Sequence, residues 1–171
     1  MDLARKATGD HSVLLEAVRH GDTLWVLPAD ARRGEAWAQQ EAWVDEAMRR
    51  CSRLALDATG LGSQFAEILA HRYPGRVEGW EFTSKSKEQL ATGLRSWLET
   101  GRLRLPKSDS DLRRDVLSLR RQITAAANVR FDAPRTAKGH ADRAWALALA
   151  IQAGDESRFY QPPRPMHFRN L

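Results

Sequence analysis

Apolar positions along the chain switch between the two-residue spacing of strands and the three-to-four-residue spacing of helices. Residues 1–5 set Met1, Leu3 and Ala4 around Asp2 and Arg5 and read as the end of a first strand. Ala7-Thr-Gly-Asp10 is a turn by composition. Residues 12–19 and 23–28 are apolar, β-rich runs joined by His20-Gly21-Asp22, the pattern of an antiparallel hairpin, and residues 28–34 read as a connecting loop. Residues 35–51 place Trp37, Val44, Met48 and Cys51 on one helical face. Residues 54–57, Leu-Ala-Leu-Asp, lack clear alternation, as in a strand covered on both faces. A turn containing Gly60 and Gly62 follows, then a helix over 62–73 with Leu61, Phe65, Ile68 and Leu69 at helical spacing, stopped by Pro74-Gly75. Residues 77–83 predict another strand, with Trp80 and Phe82 facing the same way.

The second half continues the alternation. Ser86-Lys-Glu-Gln89 fits a capping box for a helix bearing Leu90, Leu94, Trp97 and Leu98 and ending at Gly101. Residues 103–105 are a short extended piece closed by Pro106. Asp109 or Ser110 caps a helix that carries Leu112, Val116, Leu119 and Ile123 inward and Arg113, Arg114, Arg120 and Arg121 outward. Residues 128–132 predict a strand, 133–139 a basic loop and 140–153 an alanine-rich helix. A hairpin followed by strands alternating with helices implies an α/β fold: a mixed sheet with helices on both faces, the strand plan of ribonuclease H-like folds. The expected organisation is one domain over residues 1–153 and a Pro-rich tail over 154–171, with Pro162, Pro163 and Pro165.

Composition narrows the class. With 42% apolar and 29% charged residues among 171, the chain reads as a soluble globular domain with one core. No apolar run approaches the roughly 20 residues of a membrane helix, and the N-terminus lacks a signal-peptide pattern. Cys51 is the single cysteine, so no internal disulfide forms and the reducing cytoplasm is the expected compartment. Of the net charge of +5, residues 102–143 hold more than all: eleven Lys or Arg against five Asp or Glu. That one-sided excess points to a polyanionic partner, nucleic acid first.

Three carboxylates carry the candidate chemistry. Asp57 ends the central strand, the edge at which open α/β sheets build their sites. Asp2 stands at the first strand, and Asp142 in the first turn of the last helix, where Ala141, Ala144, Ala146 and Ala148 permit close approach. Each alone has an ordinary structural reading: a cap before Thr59 for Asp57, dipole compensation for Asp142, an exposed end for Asp2. Gathered together, they repel one another unless a cation neutralises them. Hard oxygen donors suit Mg2+ or Mn2+, and two such ions roughly 3.5–4 Å apart support phosphodiester hydrolysis.

Asp2-Leu-Ala-Arg5, Leu56-Asp-Ala-Thr-Gly-Leu-Gly62 and Gly139-His-Ala-Asp-Arg-Ala-Trp-Ala-Leu-Ala-Leu-Ala150, in that order, resemble the C-terminal nuclease domain of the phage large terminase subunit, its Mu-like prophage branch above all, over residues 1–153. The resemblance implies a ribonuclease H-like fold and metal-dependent endonuclease activity on double-stranded DNA during packaging. By match it makes Asp2, Asp57 and Asp142 the catalytic metal ligands of a two-metal site, with Asp10 in a secondary role. It also implies partners: the terminase ATPase domain, the portal and the small terminase subunit. The chain departs from the family in two respects. Only Met1 precedes the first Asp, where the family has a full apolar strand, and no G-x-x-x-x-G-K-[ST] loop occurs, so the chain reads as an excised or truncated nuclease domain. Lys85, Lys87, Arg113, Arg114, Arg120, Arg121, Arg130, Arg135, Lys138 and Arg143 are the candidates for DNA-backbone contact, and His140 for an auxiliary or orienting role. Two other readings stay open: a non-catalytic domain that binds DNA or docks on a packaging motor, and another ribonuclease H-like nuclease such as a junction resolvase.

Overall fold

A computed structural model of the chain describes residue 1 and residues 11–123, 129–133 and 141–155. In chain order the elements are β1 (Ser12–Leu14), β2 (Ala17–His20), β3 (Thr23–Val26), β4 (Asp30–Arg32), α1 (Trp37–Met48), β5 (Leu54–Asp57), α2 (Gly62–Arg72), β6 (Val77–Trp80), α3 (Ser84–Glu99), β7 (Leu103–Arg104), α4 (Ser110–Ser118), β8 (Arg120–Ile123), β9 (Val129–Asp132) and α5 (Asp142–Gly154). Strand pairing is mixed. β2 and β3 form the expected hairpin, β7 joins β3 in parallel, and β5 pairs with β6 in parallel. Met1 lies along the other side of β5: its amino nitrogen donates to Ala55 O at 2.7 Å, and its carbonyl accepts Asp57 N–H at 3.0 Å. β5 is therefore an interior strand, as its unbroken apolar run predicted.

Strand alternation sorts the core into two layers. Leu14, Leu54, Leu56 and Met1 face α1 and α2, where they meet Trp43, Val44, Phe65 and Leu69. Val13, Leu15, Leu24, Val26 and Ala55 face the other way, toward Leu90, Leu94, Leu112, Trp145 and Leu149 of α3, α4 and α5. Helices thus cover both faces at β5, which is the mixed, helix-flanked α/β architecture expected. The β2–β3 hairpin is covered on one face only, so its cross-strand pair Val18 and Trp25 stands exposed. Trp25 is the exception to a set of tryptophans that otherwise serves packing.

Several boundaries differ from the sequence expectation, each for a tertiary reason. Residues 30–32, read as loop, form β4 because Asp30, Ala31 and Arg32 pair antiparallel with Leu14, Val13 and Ser12. Three residues are too few for alternation to show. Helix α3 starts earlier than Ser86: Thr83 is its cap and accepts Ser86 N–H, while Ser86 Oγ accepts Thr83 N–H. Helix α4 stops at Ser118, and Arg120, Arg121 and Ile123 sit on β8, paired with β9. Ile123 continues the helical spacing of Leu112 and Leu119, yet it is 65% exposed because backbone pairing claims its segment.

Charge ties α1 to α2 at the back of the sheet. Arg72 bridges Glu41 and Asp45, and Tyr73 OH donates to Asp45 at 2.8 Å. Partial burial opposes ionisation of Asp45, but the bonds from Arg72 and Tyr73 and the Arg72 charge outweigh it and hold the carboxyl below its ordinary value. A depressed carboxylate stabilises the fold above its unfolded value of about 4, and that stabilisation is lost as pH falls through the folded value. Asp45→Asn is therefore expected to lower the melting temperature at neutral pH and to lose less on acidification than the parent. Parallel acid-side melting curves for the two proteins would contradict this.

Candidate functional site

The segment from Asp57 to Gly62 is built for close approach. Gly60 sits at φ 57°, where an L side chain is disfavoured. Gly62 opens α2 against the end of β5 so tightly that a Cβ there would lie 2.6 Å from Asp57 O. This turn fixes Asp57 at the carboxyl end of the interior strand. Its Oδ1 accepts two hydrogen bonds from Thr59, from N–H at 2.8 Å and from the hydroxyl at 2.5 Å. The Thr59 hydroxyl oxygen in turn accepts Phe82 N–H at 2.8 Å, which links the turn to the residues leaving β6.

Asp142 is only 5% exposed, in the first turn of α5, where the helix dipole favours negative charge. It follows Ala141, whose φ of 59° and ψ of 32° are left-handed, a conformation that costs a non-glycine residue about 1–2 kcal/mol. Backbone strain of this kind concentrates at functional positions. Asp142 Oδ2 accepts His11 N–H at 3.2 Å, so the start of α5 is joined to the residue entering β1. Helix α5 packs on both β1 and β5, and Asp57 and Asp142 therefore stand on elements in direct contact. Burial holds the His11 imidazole below its ordinary value, aided by Arg33 and Arg143 and opposed by Asp142 and Asp115.

Asp2 and Asp10 lie outside the described residues, as do Arg135, Lys138 and His140. Their chain neighbours are informative. Met1 is hydrogen-bonded to Ala55 and Asp57, and His11 to Asp142. The chain between these two anchors holds both acids. Among the described residues, no group of three or more metal-type side chains gathers.

The basic candidates separate by surroundings. Lys85, Arg113, Arg120, Arg121 and Arg130 are exposed. Arg113 donates to the carbonyls of Pro106 and Lys107, and Arg130 pairs with Asp132. Lys87 is half-buried, its ammonium 4.7 Å from the Trp145 ring centroid and 5.2 Å from that of Phe82. Arg114 pairs with Asp111 and Asp115. The Arg143 side chain is 12% exposed and faces Asp115 at 3.7 Å and Asp111 at 3.9 Å, which makes it a link between α4 and α5.

Three participants escaped sequence reasoning. Thr59 carried a signal, since Asp-x-Thr is the spacing at which an Asp side chain accepts from the residue two ahead. Asp115 interrupts the apolar stripe of Leu112 and Val116, and a charge on a buried stripe implies a partner. His11 had no local signal, because its contact is with a residue on the far end of the chain.

The comparisons with known proteins bear on the family and the fold. The family model of the terminase RNaseH-like domain matches residues 1–153. No curated protein matches the chain by sequence. Among solved structures, the large terminase nuclease from thermophilic phage G20c with bound magnesium is 22% identical, with a TM-score of 0.63, covering 87% of this chain and 89% of that one. The cobalt-bound form of the same nuclease gives a TM-score of 0.62 at 22% identity over the same shares, 87% and 89%. The large terminase nuclease domain of Thermus phage P74-26 is 21% identical, with a TM-score of 0.57 over 82% of this chain and 78% of that one. These neighbours share the fold, and the family model matches all but the tail. The mixed α/β architecture, several short strand groups flanked by helices with Asp57 ending β5 and Asp142 opening α5, is a ribonuclease H-like fold, and the chain belongs to the terminase RNaseH-like domain family.

Proposed function

We propose that the chain is the nuclease domain of a phage large terminase, a metal-dependent endonuclease that cuts double-stranded DNA during genome packaging. The observation that carries the reading is the placement of Asp57 and Asp142 on touching elements of a terminase-family fold. The donor set fits a hard divalent cation: the described candidates are carboxylates, with no cysteine beside them, and Asp142 is buried where a cation would offset its charge. Asp57 and Asp142, together with Asp2 by family match and Asp10 in a secondary place, would hold Mg2+ or Mn2+ in a two-metal arrangement. Solved neighbours carry magnesium, cobalt or zinc, which supports divalent metal use here. When bound, such ions supply charge neutralisation on the phosphodiester and a more acidic water.

The chain's own residues do the rest. Thr59 and the Gly60–Gly62 turn orient Asp57, and the His11 amide orients Asp142. Exposed Lys85, Arg113, Arg120, Arg121 and Arg130 fit contacts to the DNA backbone, with Arg135 and Lys138 added from the sequence. Lys87 is half-buried beside the two rings, whereas Arg114 and Arg143 are already committed to carboxylates. Backbone contacts of this kind give affinity without sequence preference. His140 keeps its auxiliary role as a sequence-based candidate. The ATPase domain, portal and small terminase subunit are the expected partners, and the host cytoplasm the expected compartment; no helix among the described residues is long and apolar enough to cross a membrane.

The test is nicking of supercoiled plasmid with Mg2+, Mn2+ or chelator, beside Asp57→Asn. Cleavage that needs the metal and disappears in the variant is the expected result. DNA binding without cleavage under every metal condition would favour a non-catalytic docking domain instead.

A further inference from the structure

The described site contains a hydrogen-bonded chain with a consequence for how Asp57 meets a cation. Thr59 gives both its N–H and its hydroxyl proton to one oxygen of Asp57, Oδ1, at 2.8 and 2.5 Å. The hydroxyl can point at Asp57 because its oxygen is occupied from the other side by Phe82 N–H at 2.8 Å. Phe82 is itself anchored: its ring meets that of Trp145 with centroids 5.7 Å apart, and Lys87 lies over both rings. Trp145 stands on α5, one turn beyond Asp142. A continuous set of contacts therefore runs from the Asp57 carboxylate through Thr59 and Phe82 to the helix that carries Asp142.

We infer that Thr59 is a positioning residue that presents Asp57 to a divalent cation through Oδ2 alone. A carboxylate with two donors on one oxygen loses rotational freedom about its last bond, and the doubly donated oxygen is the poorer metal donor. The other oxygen is left as the ligand, at a fixed angle to the strand. The inference rests on the proposed metal-dependent site and deepens it: the cation takes a one-oxygen carboxylate at this position, oriented before the cation arrives.

Thr59→Val removes the hydroxyl and keeps the branched shape, while Thr59→Ser keeps the hydroxyl. Thr59 is exposed, so water can satisfy Phe82 N–H in the valine variant and the fold is retained. The experiment is calorimetric titration of Mn2+ into the parent, Thr59→Val, Thr59→Ser and Asp57→Asn, with melting of each metal-free protein alongside. Thr59→Val is expected to weaken Mn2+ binding by about ten- to a hundredfold, and Thr59→Ser to restore it to near the parent. Equal affinity in parent and Thr59→Val would overturn the inference while leaving the metal site standing. A serine variant as weak as valine would overturn it too, since the hydroxyl would then not be the cause. No Mn2+ binding by the parent would remove the metal site itself, and the inference with it.

Discussion

Asp142→Asn is expected to reduce divalent-dependent DNA cleavage at least about a hundredfold while leaving the metal-free fold intact. The size follows from what a ligating carboxylate contributes in such sites, several kcal/mol of charge stabilisation at about 1.4 kcal/mol per tenfold in rate. The fold should survive because asparagine is nearly isosteric and keeps an oxygen to accept His11 N–H. Removing a buried negative charge also relieves a desolvation cost. The metal-free melting temperature should therefore stay level or rise, whereas the rise that Mn2+ induces in the parent should vanish. Measuring both separates a ligand from a structural carboxylate. If Asp142→Asn lowered the metal-free melting temperature sharply and left the Mn2+ effect in place, Asp142 would be holding the start of α5 and not a cation.

Gly62→Ala carries the second large effect, and its origin is purely steric. The added Cβ would stand 2.6 Å from Asp57 O, and the atom it meets is backbone, unable to turn aside as a flexible side chain would. Either α2 moves away from β5 or the end of β5 is pushed, and both displace Asp57. Overpacking of this kind costs about 1–3 kcal/mol, a fall of several degrees in melting temperature for a domain of this size. Cleavage should fall further than stability alone explains, because the strand end that moves is the one bearing the ligand. Gly60→Ala is the control: its Cβ meets nothing within 4 Å, so only the left-handed backbone is penalised and Asp57 stays in place. Similar activity losses in the two variants would argue against close approach as the reason for Gly62.

The places of Asp57 and Asp142 in the fold were readable in advance because they are local. Asp57 at a strand end, the glycine turn after it and Asp142 at a helix start are all statements about neighbours in sequence. The basic residues were less readable. Arg113 and Arg114 are adjacent on α4, yet one is exposed and the other shares two carboxylates. Arg143 looked like a DNA contact by charge and place, but the buried Asp115 across the α4–α5 contact draws it inward. Helical spacing alone cannot tell which charged position meets a partner helix.

What the sequence determined by itself is the alternation of helix and strand around a buried Leu54–Asp57 segment, the α/β class that follows, and the order of the acidic motifs. Those rest on hydrogen-bond periods and turn chemistry, which operate over a few residues. Only the tertiary structure decided that Asp30–Arg32 and Arg120–Ile123 are strands, because their backbone groups are satisfied by partner segments, Ser12–Leu14 for the first and Val129–Asp132 for the second, and not by their own neighbours. It alone decided that Met1 lies beside Asp57, that His11 holds Asp142, and that Thr59 joins Asp57 to Phe82. Each of these contacts links groups brought together by burial of the two apolar layers, and no local pattern records where a chain will return.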